Sequence, residues 1–68
     1  MDNLKAIGQN IANLRKIRNL SQEDLCGAAG IDRSYLSEIE NGHKNPSVLT
    51  LIKIADALGV SPKDILDL

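Results

Sequence analysis

The chain is expected to be all-α, five short helices forming one domain over residues 1–68, and three observations lead there. Apolar residues recur at steps of three and four, and no stretch alternates as a half-buried strand does. Each helical stretch is preceded by an Asp, Asn or Ser able to cap its first turn. The first four are followed by Asn19, Gly30, Gly42 and Gly59, residues suited to the left-handed position that ends a helix.

The first helix is predicted from about Leu4 to Arg18. Leu4, Ile7, Ile11 and Leu14 share one side of it, and Lys5, Gln9, Asn13 and Lys16 lie on the other. Asp2 or Asn3 caps its start. Gly8 sits inside it at a cost of about 1 kcal/mol against alanine, which points to close packing there. Ser21 with Asp24 three residues on resembles a capping box, opening a helix over Gln22–Ala29 that presents Leu25 and Cys26. Asp32 caps a third helix that runs to about Asn41 with Leu36 and Ile39 facing inward. After the polar His43-Lys44-Asn45-Pro46 loop, Ser47 opens a fourth helix from Val48 to Leu58. Ser61 and Pro62, as cap and first helical residue, begin a fifth that ends near Leu66.

Composition removes several classes. With 68 residues the single core supplies only about 3–5 kcal/mol of net stability, and a large catalytic cleft is not expected. One cysteine, Cys26, cannot form an internal disulfide, and with one histidine, His43, it cannot build a four-ligand zinc site. No metal or other cofactor is therefore expected. No apolar run approaches the roughly 20 residues of a membrane span, and the start is not a signal peptide, so no membrane partner is expected and the location is cytoplasmic. Tyr35 is the sole aromatic, too few for the stacking platforms that hold single strands. Cys26 and His43 could be imagined as nucleophile and base. Cys26, however, lies on the packing side of a short helix and His43 in a polar loop, so catalysis is rejected.

The fourth helix is apolar around more than half its circumference, through Val48, Leu49, Leu51, Ile52, Ile54, Ala55 and Leu58. A surface helix needs a narrower stripe. Either it is a central helix wrapped by its own domain, or part of this face packs on a second copy. In the second case Leu49, Ile65, Leu66 and Leu68 form the dimer interface.

Helix, glycine turn, helix is the topology of the DNA-binding helix-turn-helix, though ordinary helical hairpins share it. The span Gln22–Asn41 carries more: small Cys26 as its fifth residue, Gly30 as its ninth, and Leu25, Ile31, Leu36 and Ile39 at the packing positions. It resembles the phage-repressor and Cro type of helix-turn-helix, the XRE family. The likeness continues through Leu20-Ser21-Gln22-Glu23-Asp24-Leu25, Tyr35-Leu36-Ser37-Glu38-Ile39-Glu40-Asn41-Gly42, Asn45-Pro46-Ser47 and the run Leu51–Val60, nearly the whole chain. It departs at Cys26, where the family usually has alanine, and in its low basicity. Asp32-Arg33-Ser34-Tyr35-Leu36-Ser37 also resembles restriction–modification controller proteins.

The resemblance implies a compact lambda-repressor-like fold whose third helix enters the major groove of double-stranded DNA. It further implies a transcription regulator that reads an operator as a homodimer. Arg33, Ser34, Ser37 and Glu38 would then face base edges. Arg33 has the geometry to bond guanine O6 and N7 together, worth about 1–3 kcal/mol of discrimination; otherwise it meets a phosphate or solvent. Glu38 either accepts from a cytosine amino group or sits in a helical ion pair. Gln22, Tyr35, Asn41, His43, Lys44 and Asn45 would meet phosphates, with packing along the helix the other reading of Tyr35. In the family an arginine at the position of Arg15 pairs with a glutamate at that of Glu40, which makes these two structural. The net charge of −1 matters less than its distribution, since Arg33 and Lys44 lie on the proposed DNA face and Asp56, Asp64 and Asp67 lie toward the C-terminus. The alternative is an antitoxin or adaptor that uses the same fold to bind another protein.

Overall fold

The computed structural model describes residues 2–68, and among these every regular element is a helix. They run α1 (Asn3–Ile17), α2 (Gln22–Ala29), α3 (Arg33–Glu40), α4 (Val48–Leu58) and α5 (Pro62–Ile65). The helix-turn-helix expected at 22–41 is α2, the turn at Gly30–Asp32, and α3 with its C-cap Asn41.

Local chemistry accounts for most of the boundaries. Asp2 caps α1 by accepting from Lys5 N at 3.2 Å. Ser47 and Ser61 cap α4 and α5 in the same way, and Asn19 ends the first segment with a left-handed φ of 58°. Asp32 is different. It stands at the N-cap of α3, yet its exposed carboxylate makes no capping hydrogen bond, and only the main-chain bond from Leu36 N to Asp32 O (3.0 Å) closes that turn.

Ser21 and Asp24 form a reciprocal capping box, Asp24 N donating to Ser21 Oγ (2.9 Å) and Ser21 N donating to Asp24 Oδ2 (3.0 Å). The Ser21 main-chain N–H, and then its hydroxyl, hold the Asp24 carboxyl below its ordinary range. A depressed carboxyl pKa adds stability above its unfolded value and loses it as pH falls through the folded one. Acid titration of the unfolding midpoint is thus expected to be steeper below about pH 4 for the wild type than for Asp24→Asn.

The helices enclose one core. Ile11, Leu25, Leu36, Ile39, Ile54, Leu58 and Ile65 are its fully buried large side chains. In it α1 packs against α3 and α5, α2 against α3 and α4, and α4 against α5. Asn10 pins the end of the chain, its Nδ2 donating to Ile65 O (2.9 Å) and Asp67 O (3.1 Å). Ile65 corrects an expectation: at 0% exposure it belongs to the monomer's own core and has no surface to offer a second copy. Four residues of chain after Ser61 suffice to turn it inward, because α5 folds back across both α1 and α4.

Gly8 marks where α1 crosses the end of α3. A methyl there would collide with the main-chain oxygen of Ile39 and lie 2.7 Å from that of Glu40. Alanine gains about 1 kcal/mol of helix propensity, but overpacking against backbone that cannot rotate away costs up to about 3 kcal/mol. Gly8→Ala is therefore expected to lose about 1–2 kcal/mol net, read as a lower urea midpoint at unchanged m-value.

Candidate nucleic-acid interface

α3 buries Leu36 and Ile39, so a helix of 3.6 residues per turn turns Ser34, Ser37, Glu38 and Asn41 the other way, with Arg33 at the flank one turn before Ser37. Arg33, Ser34, Glu38 and Asn41 are exposed and Ser37 is half-buried. They form one outward strip, with Arg33 at its leading end. Tyr35 flanks it, half-buried and packed against the core.

A polar network fixes this strip. Arg15 Nε donates to Glu40 Oε2 at 2.8 Å and Nη2 to Oε1 at 3.0 Å, a two-pronged pair with side chains only 12% and 5% exposed. Arg15 Nη1 also donates to Leu20 O at 2.8 Å, and Gln22 Nε2 to Glu40 Oε1 at 3.1 Å. Four segments (α1, the connection to α2, the start of α2 and the end of α3) are thereby locked together. The amide of Gln22 is partly spent inside the protein. What it retains for an anion is its second Nε2 hydrogen and the free main-chain N–H groups at the start of α2. The family resemblance implied the Arg15–Glu40 pair but not the Gln22 and Leu20 bonds, which depend on how α2 is seated.

Beyond α3, Gly42 adopts a left-handed φ of 76° and His43 N donates to Glu38 O at 2.8 Å, turning the chain sharply. His43, Lys44 and Asn45 are exposed on the loop that follows, anchored by buried Pro46. The strip itself thus carries Arg33 and Glu38, with exposed Asp32 before it in the chain and exposed His43 and Lys44 after it. A surface of this kind suits a polyanion whose interior carries hydrogen-bond donors, and duplex DNA with its amino-bearing bases has that pattern.

Other exposed residues are apolar, Ile17 on α1 among them at 74%. Leu49 is 62% exposed, Leu66 43% and Leu68 60%, and Val48 and Ile52 are exposed beside Leu49 on α4. Cys26 is buried, its Sγ donating to Glu23 O at 3.3 Å. No helix among the described residues is long and apolar enough to cross a membrane.

Residues 11–65 match the family model HTH_3, helix-turn-helix. An uncharacterized HTH-type transcriptional regulator, y4dJ, of Sinorhizobium fredii is 46% identical over 61 residues, 90% of this chain and 79% of that protein. Control protein C.BamHI of Bacillus amyloliquefaciens is 44% identical over 61 residues, 88% of this chain and 75% of that one. The crystal structure of the restriction-modification controller protein C.AhdI from Aeromonas hydrophila superposes with a TM-score of 0.93 at 37% identity, covering 96% of this chain and 98% of the other.

Proposed function

The chain belongs to the HTH_3 helix-turn-helix family of DNA-binding transcription regulators, and from that membership we propose that it reads a two-fold operator as a homodimer. The observation that carries this reading is the outward strip of α3 held rigid by Arg15, Glu40 and Gln22. Arg33 is the principal base reader, with Ser34, Ser37 and Glu38 adjusting the preference around it. Lys44, His43, Asn45, Asn41, the start of α2 at Gln22 and Tyr35 hold the phosphates.

Leu49, Leu66 and Leu68 form the contact between copies, and Val48 and Ile52 extend it along α4. This exposed apolar surface gives a small domain the extra burial its own core lacks. Two-fold pairing doubles the phosphate contacts that a chain of net charge −1 makes singly, and sets two half-sites about 34–36 Å apart. We assign the protein to the cytoplasm, where duplex is accessible and the free thiol of Cys26 stays reduced.

Selection from randomised duplexes with the purified chain is expected to enrich a palindrome, and sedimentation at micromolar concentration to give a dimer. A monomer that persists with the selected duplex present would refute the pairing. A chain that binds no duplex in a salt-dependent way, yet captures a protein ligand through its apolar face, would favour the antitoxin or adaptor reading instead.

A further inference from the structure

The turn that ends α3 is built against the first helix. A methyl on Gly42 would lie 2.7 Å from Lys5 Cγ and 2.9 Å from Lys5 Cα, so the stem of Lys5 lies along that turn. One helical turn further on, Gly8 seats α1 on the carbonyls of Ile39 and Glu40, which fixes the place from which Lys5 projects. The next residues after Gly42 are His43 and Lys44, both exposed.

Lys5 is exposed, and the ion pair found among the described residues is Arg15–Glu40, not one made by Lys5. Its nearest acidic neighbour in sequence, Asp2, uses its carboxylate to cap α1. Between Asn3 and Ile17 there is no aspartate or glutamate at all; the charged residues are Lys5, Arg15 and Lys16, and Glu40 neutralises Arg15. Beyond that pair, the charges left on the helix are Lys5 and Lys16, eleven positions apart. Lys5, its stem along the turn that leads to Lys44, adds a second ammonium to those an anion would meet on this side of the domain.

Resting on the DNA-binding reading above, we propose that Lys5 is a phosphate-binding residue of the interface, joining Lys44 and His43 beyond the C-terminal end of the recognition helix. α1 is then part of the DNA-binding surface as well as its scaffold. The competing role is purely structural: an ammonium beside the carbonyl end of α3 complements the helix dipole.

Salt dependence separates the two. Affinity of the full chain would be measured from about 50 to 200 mM salt, on a selected operator and on an unrelated duplex, for wild type, Lys5→Gln and Lys5→Arg. For Lys5→Gln the slope of log K against log salt is expected to become shallower by about 0.9 per protomer bound. Both duplexes should weaken alike, base preference should be unchanged, and Lys5→Arg should keep the wild-type slope. A wild type that binds neither duplex removes the DNA-binding reading itself. A wild type that binds, with an unchanged slope in Lys5→Gln, overturns the role of Lys5 alone. A lowered unfolding midpoint accompanying that unchanged slope would identify it as a helix-end cation.

Discussion

Arg15→Met is expected to cost about 3–5 kcal/mol, which is comparable to the whole stability of a domain this small. The reason is what it leaves behind. The Glu40 side chain is only 5% exposed, and without the guanidinium its carboxylate keeps just the Gln22 amide at 3.1 Å. The Leu20 carbonyl loses its 2.8 Å donor at the same time. Removing one partner of a buried pair strands the other charge, whereas replacing both by apolar residues often restores stability. Arg15→Met with Glu40→Leu is therefore expected to recover much of the loss in urea unfolding followed by circular dichroism. A single-variant cost below about 1 kcal/mol, the range of exposed pairs, would show that the network does not hold α1, α2 and α3 together.

Arg33→Ala should leave folding untouched and relax base preference at one position in each half-site. Arg33 is exposed at the first position of α3 and buries no core surface, so its loss leaves no cavity. If its guanidinium bonds a guanine edge, the variant loses about 1–3 kcal/mol in each half-site and relaxes selection at one base pair there. Randomised-duplex selection with both proteins reads this directly. Uniform weakening with every position still selected would instead make Arg33 a phosphate contact. The two substitutions probe opposite properties: one removes the frame and keeps the reading surface, the other does the reverse.

Much of this architecture was legible in the residues because its causes are local. The period of Ile7, Ile11 and Leu14, the Ser21–Asp24 box, Ser47, Ser61 and the turn at Gly42 act within a few positions of chain, so they specify helices wherever the chain lies. Gly8 signalled a close approach but not its partner. Asp32 misled in detail, since occupying a capping position does not oblige its carboxylate to make the bond. Ile65 misled more, because apolar character says that a side chain will be covered, not whether its own domain or another copy covers it. The bonds from Gln22 to Glu40 and the contact of Lys5 with Gly42 had no sequence signal, as each joins residues far apart in the chain.

By itself the sequence determined that this chain forms five helices, where they start and stop, and which of their residues resemble a groove-reading motif. Only the tertiary structure decided that Ile65 is core, that Gln22 belongs to the Arg15–Glu40 lock, and that α1 brings Lys5 beside the end of α3. The division is physical. Caps and periodicity act over one or two helical turns, while burial and long-range polar contacts depend on the angles at which whole helices cross, set jointly by every side chain between them.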